Sequence, residues 1–263
     1  MRTDEVSSIL VLAKIGQVLD YISLDRGSTS VSEMSRQLKI ARPTLHRILD
    51  ALVAEGILTR QEGRYSPGLR LVQWGSRALQ SQSLAEIGGT VLHDLVQRTG
   101  ETASLFVRIK AIRVCVARVE GAGLLRHHIA VGEPLPLYAG SAGHTLLAWM
   151  DPGVREGIWA ESIGFFHPPA PLEPPVDRWQ EIRDKRFAIS LGERDSALAS
   201  VSVPVFDAQQ AVRAAVTLSG PISRFLPGVL TVMVQELTVA AHEIETRLLA
   251  DASSGDPPQR KTR

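Results

Sequence analysis

The side chains best suited to chemistry crowd into Arg42-Pro43-Thr44-Leu45-His46-Arg47, which brings two guanidinium groups, an imidazole and a hydroxyl together. A guanidinium can donate two parallel hydrogen bonds to the edge of guanine, and such a pair is worth ~1–3 kcal/mol of base discrimination. The same group can also bind a phosphate, which sets register without reading sequence. Arg60 and Arg64 flank Gly63 a little further on, placed for backbone or minor-groove contact. Between positions 36 and 77 there are eight basic residues against three acidic ones, on a chain whose formal net charge is only +1. A local anion-binding surface on a near-neutral protein suits nucleic acid, although such a charge run also describes a solvated helix face.

Two other groupings invite a chemical reading. Ala139-Gly140-Ser141-Ala142-Gly143 comes close to the G-x-S-x-G elbow that presents a nucleophilic serine, with His144 beside it and Asp195 as a candidate carboxylate. The first glycine is missing, and a triad base arrives from elsewhere in the fold, so the small residues fit close packing or a ligand cradle better than catalysis. His127 and His128 are neighbours and would point to opposite faces of a strand, while His93, His144, His167 and His242 lack a chelating spacing. No metal and no cofactor is therefore expected. A single cysteine, Cys115, excludes an internal disulfide and reads as a small buried hydrophobe.

Helices must position the first grouping. Leu45, Ile48, Leu49 and Leu52 make one apolar stripe, which puts Pro43, Arg47, Asp50 and Ala54 opposite it and Thr44 and His46 on its flanks. Ahead of it, a helix over 6–23 carries Val11, Ile15, Val18, Leu19 and Ile22 inward. Ser30 or Ser32 caps a short helix ending near Leu38, with Lys39-Ile40 as the turn. Residues 57–60 and 64–66 read as two strands around Gly63, forming a wing. At 263 residues the chain is long enough for two domains, and Pro67-Gly68 marks a break before a linker helix bearing Leu69, Val72, Trp74 and Leu79. No run approaches the roughly 18 apolar residues of a membrane span, and the N-terminus lacks a signal peptide's pattern, which points to the cytoplasm.

Beyond the linker a helix over 84–98 presents Ile87, Val91, Leu92 and Leu95. The period then changes to two through Ala103, Leu105, Val107 and Ile109, and strand-like patterns continue through 114–116 and 124–131. Ser141–Met150 reads as a helix, Asp151-Pro152 starts a short one, and the proline-rich His167–Pro175 reads as a loop. Strands return over 186–190, 199–206 and 212–219. A last helix carries Leu230, Met233, Val234, Leu237, Ala241, Ile244 and Leu248 before a polar tail expected to be disordered. The implied class is α+β, with 1–66 binding DNA, 67–82 linking, 83–250 forming a second domain and 251–263 a tail.

The segments ARPTLHRILDALVAEGIL, RYSPGLRLVQWG, TGETASLFVR, LPLYAGSAGHTLLAW and VPVFDAQQAVRAAVTLSGPISRF together resemble the IclR family of bacterial transcriptional regulators over nearly the whole chain. The resemblance implies a winged helix-turn-helix domain, a GAF-like effector domain, and a homodimer or homotetramer on a near-palindromic double-stranded operator. It also implies a small organic effector, often a carboxylate or aromatic metabolite. Matched position by position, Arg42, Pro43, Thr44, His46, Arg47, Arg60 and Arg64 would meet DNA, and Tyr138, Ala139, Gly140, Ser141, Ala142, Ser190, Ser200, Thr217 and Ser219 would line the effector pocket. Ser190 stands where an acidic residue is frequent, Ser200 where cysteine is frequent, and His144 where the family has a lysine-like residue. Physically, four hydroxyls beside the N-terminus of the Ser141 helix would suit a small carboxylate. Two other readings stay open: a constitutive DNA-binding protein whose second domain only assembles it, and a serine hydrolase.

Overall fold

A computed structural model of the protein describes residues 2–24, 30–80, 83–123, 129–166 and 173–254. The chain divides into two compact units, Met1–Ser81 and Gln82–Arg263.

The first unit runs α1 (Arg2–Leu24), α2 (Val31–Leu38), α3 (Arg42–Ala54), β1 (Leu58–Gln61), β2 (Arg64–Pro67) and α4 (Leu69–Gln80). The Ser30 hydroxyl caps α2 by accepting from the Glu33 N–H at 3.3 Å. Lys39 then turns left-handed (φ 53°), and the Ser35 hydroxyl donates to the Ile40 carbonyl at 2.6 Å, pinning the turn that leads into α3. All four residues of the α3 stripe are buried, packed with Val18, Ile22, Met34, Ile40 and Leu58. Glu62 and Gly63 both have positive φ (50° and 77°), the two-residue turn whose twist matches a hairpin, with Gln61 opposite Arg64. Gly68 is a packing requirement: a Cβ there would lie 2.3 Å from the Gly56 carbonyl oxygen.

Val11 departs from expectation. It is 44 % exposed, together with Leu10 and Leu12, because among the described residues the core of α2, α3 and the wing meets α1 from Ile15 onward. On α4, Leu69, Val72 and Trp74 are also exposed.

The second unit runs α5 (Ser83–Thr99), β3 (Thr102–Ile109), β4 (Ile112–Val119), β5 (Pro134–Pro136), α6 (Ser141–Ala148), α7 (Pro152–Phe166), α8 (Val176–Lys185), β6 (Ala188–Leu191), β7 (Leu198–Phe206), β8 (Val212–Pro221) and α9 (Pro227–Ser254). Six strands make one antiparallel sheet in the order β5-β4-β3-β8-β7-β6. α5 and α9 cover one face, where Leu92, Leu95, Leu237 and Ile244 pack on Leu105, Val201, Val216 and Leu218. On the other face Leu146, Leu147, Trp159 and Trp179 from α6, α7 and α8 pack on Phe106, Cys115 and Ala215. Double coverage explains why five consecutive residues of β8, Ala214 to Leu218, are buried. This is the α+β second domain that the alternating pattern implied.

Several elements differ from the sequence reading. β5 is a strand in spite of its two prolines, which an edge strand tolerates. α8 was not anticipated, because its apolar residues are few and follow a proline-rich stretch. The Ser141 helix stops at Ala148 rather than Met150, and Ile109, at the hairpin end of β3, is exposed. Residues 251–254, expected in the disordered tail, continue α9, since the first helix-stopping residue is Gly255. Of the strand expected over 124–131, residues 129–131 are not strand but lead into the turn at Gly132, and 124–128 with their two histidines lie outside the described residues, as do 255–263 and 167–172 of the expected loop.

Replacing Ser35 with Ala removes one short hydrogen bond from the α2–α3 turn. It is expected to cost ~1 kcal/mol of first-unit stability, read by denaturant unfolding of the full chain, with the far-ultraviolet spectrum unchanged.

Candidate DNA interface and effector pocket

In the first unit the apolar stripe of α3 faces inward, leaving Arg42, Pro43, His46 and Arg47 exposed and Thr44 half-buried. Neither Arg42 nor Arg47 has an ion-pair or hydrogen-bond partner among the described residues. On the wing Arg64 is likewise exposed, and the Arg60 guanidinium lies 5.6 Å from the centre of the Tyr65 ring, held out along the hairpin. By contrast Arg70 is taken up by Glu55 and stacks on Trp74 at 5.0 Å. The arrangement separates arginines that hold the domain together from arginines left available to an anion. It places α3 as a helix whose outer side is free to enter a groove.

The second unit holds a pocket between the sheet and the start of α6. Gly140, Ser141, Ala142, Ser190, Ser200, Thr217 and Ser219 all line it. Tyr138 and Ala139 do not: Tyr138 packs edge-on against Phe166, and the buried Ala139 contributes its carbonyl to a contact behind the pocket. The hydroxyls also meet one another. Ser141 Oγ donates to Ser200 Oγ at 2.7 Å and lies 2.7 Å from Ser202 Oγ, which lies 2.7 Å from Thr217 Oγ1. With Ser141 so engaged and His144 directed to Glu193, the serine-nucleophile geometry does not form.

Three charged residues that the sequence reading did not single out shape this pocket: Arg113, Glu193 and Arg194. Arg113 extends from β4 and is 3 % exposed, and its Nη1 donates to the carbonyls of Pro136, at 2.7 Å, and Ala139. Its guanidinium also faces the Phe106 ring at 5.5 Å. Burial lowers its pKa from 12.5 to about 9, with Arg194 adding to the effect, so it remains a cation at neutral pH. The small residues of the Ala139–Gly143 run now have a cause. A Cβ at Gly143 would sit 2.6 Å from Arg113 Nη1 and 2.5 Å from the Leu137 carbonyl oxygen, and one at Gly140 would sit 2.9 Å from Nη2.

Glu193 lies in the loop between β6 and β7. One carboxylate oxygen accepts from the Gly140 N–H at 2.7 Å and from His144 Nε2 at 3.3 Å, while the other meets Arg178. Burial opposes ionisation of this carboxyl, but those donors outweigh it and hold its pKa near 2. His144 is 2 % exposed, and burial pushes its pKa below 6.5 against the pull of Glu193. The two shifts imply different charges on the imidazole. At neutral pH the buried ring is neutral, its Nε2–H is an uncharged donor, and the cation compensating Glu193 is Arg178. Cys115 is fully buried and burial raises its thiol to about 11, as suits a packed hydrophobe.

Comparison with known proteins bears on both halves. Residues 11–62 match the IclR helix-turn-helix domain, and residues 76–246 match the bacterial transcriptional regulator IclR C-terminal domain. The chain belongs to the IclR family of bacterial transcriptional regulators. This IclR-family protein is 28 % identical to the HTH-type transcriptional regulator KdgR of Escherichia coli over 94 % of both chains. It is 25 % identical to the transcriptional repressor IclR of the same organism, covering 87 % of this chain and 86 % of that one. Among solved structures, an IclR homolog from Microbacterium hydrocarbonoxydans complexed with 4-hydroxybenzoate is similar with a TM-score of 0.66 and 25 % identity, over 91 % of this chain and 99 % of that one. The family consists of DNA-binding regulators with an effector domain, not of enzymes.

Two outcomes follow from these geometries. In a salt series of operator binding, Arg64→Ala is expected to weaken all sequences alike and to reduce the log–log salt slope by about 1, whereas Arg47→Ala relaxes sequence preference. If neither variant changes binding, this surface is not the interface. The buried His144 supplies the second. The unfolded chain takes up a proton near pH 6.5 that the folded chain resists, so stability is greatest above 6.5 and declines as pH falls below it. Thermal unfolding from pH 7.5 to 5 should show that decline, and His144→Gln should flatten it.

Proposed function

We propose that this IclR-family protein is a cytoplasmic, ligand-responsive transcription factor that binds a near-palindromic operator as a dimer or a dimer of dimers. In this reading α3 and the wing contact DNA through Arg42, Pro43, Thr44, His46, Arg47, Arg60 and Arg64. Residues 67–82 link this part to a sensor over 83–250, whose pocket takes a small organic acid. The observation that carries the reading is the pairing of an exposed basic face on α3 with a polar, cationic pocket in a separate unit. Exposed Leu69, Val72 and Trp74 on α4, with Leu10, Val11 and Leu12 on α1, support a second copy as the partner of the first unit. The complex of a relative with 4-hydroxybenzoate supports an acid as the class of effector.

A ligand alters regulation only through different affinity for two states of the protein. Binding in the pocket would then shift the relative placement of two DNA-binding units and so change their fit to two half-sites. The constitutive alternative makes the opposite forecast. Operator affinity measured with and without a panel of organic acids is expected to change at least fivefold for one member of the panel. Affinity unmoved by every compound would favour the purely architectural role for the second unit.

A further inference from the structure

We propose that Arg113 is the anion anchor of the sensor pocket, and that the molecule sensed is a short-chain carboxylic acid whose carboxylate pairs with this guanidinium. The inference deepens the effector reading given above and rests on it. Arg113 is almost wholly buried and lines the pocket, yet no carboxylate lies within ion-pair distance of it among the described residues. Nη1 is committed to two backbone carbonyls, while Nε is buried with no hydrogen-bond partner. A buried cation whose contacts are neutral acceptors, with Glu193 acting on it only from beyond contact and Arg194 opposing, is a disfavoured state that an anion relieves.

The acidic groups at the pocket are engaged elsewhere. Glu193 is held by Gly140, His144 and Arg178, and Asp195 accepts from the Ala197 N–H at 2.9 Å. This also moves the anchor away from the start of α6, because the Gly140 N–H already has Glu193 for a partner. Arg194 adds a second positive charge at the pocket. Phe106, Ile129 and Leu198 supply an apolar wall, and Ser200, Thr217 and Ser219 supply hydroxyls. The cavity measures about 60 Å³. A cavity that takes up benzene measures roughly 150 Å³, so this smaller space favours a short aliphatic acid over a substituted ring.

The test uses the full-length protein with malonate, succinate, the neutral diamide malonamide, and benzoate. Calorimetry is expected to show saturable binding of malonate or succinate and none of malonamide. Arg113→Met should weaken the acid at least tenfold, while Arg113→Lys, which keeps the charge but loses the fork, retains part of the affinity. Because Arg113 also holds the Pro136 and Ala139 carbonyls, a direct readout on the unaltered protein accompanies the variants. The buried Arg113 Nε–H resonance, assigned by its loss in Arg113→Lys, should shift on adding malonate. Malonamide binding as tightly as malonate, benzoate binding more tightly than either aliphatic acid, or an Nε–H signal unmoved at saturation would each overturn the proposal. Operator affinity that responds to some other molecule, with no aliphatic acid bound, overturns the anchor and leaves the sensor reading standing. Operator affinity that responds to nothing overturns the sensor reading itself.

Discussion

Much of the pocket side of the second unit is arranged around the burial of a single guanidinium. Arg113 lies beneath the loop that leads into α6 and ties the Pro136 carbonyl at the end of β5 and the Ala139 carbonyl in that loop to β4. Glycine is needed at 140 and 143 because a larger side chain would strike it. Burying an ion costs several kcal/mol even after the surroundings relax, and neutral carbonyls return only part of that. The course of the chain from Pro136 to Gly143 is built around that cost.

The DNA-reading half follows a different logic, in which nothing unusual is buried. A conventional apolar stripe fixes which side of α3 faces inward, and Arg42 and Arg47 on its outer side are left without partners among the described residues. The α2–α3 turn is held by a left-handed lysine and a serine hydroxyl. The exposed face of α3 is therefore set by local rules, of capping, turn chemistry and period, that one short segment contains in full.

That contrast explains what the sequence revealed. Ser30, Lys39, Pro43 and Gly63 are punctuation that reads directly, and Leu45, Ile48, Leu49 and Leu52 give the helix face, so the first unit was legible almost residue by residue. The alternation from Ala103 to Val107 gave the strands of the second unit and the long apolar face of α9 gave its last helix. Pro134 and Pro136 concealed an edge strand, and the sparse apolar residues Val176, Trp179 and Ile182 concealed α8. The hydroxyl residues of the pocket came from likeness to a family, while Arg113, Glu193 and Arg194 gave no signal at all. An arginine at 113 in a run of apolar strand residues has no local partner that could mark it. Its meaning depends on carbonyls and glycines more than twenty residues away, and Glu193 reaches Gly140, just ahead of α6, across more than fifty.

The row of hydroxyls in the pocket has a consequence that comes from counting protons. Ser141 has one proton and donates it to Ser200. Its contact with Ser202 must then be an acceptance, so the Ser202 proton is used there, and the contact between Ser202 and Thr217 is supplied by Thr217. Every proton in the row is placed except that of Ser200, whose hydroxyl stands at the end of the row and lines the pocket. The row thus has a direction. A lone-pair acceptor that takes the remaining proton polarises each hydroxyl behind it, whereas a donor at that point meets only the second lone pair of the Ser200 oxygen and leaves that proton unused.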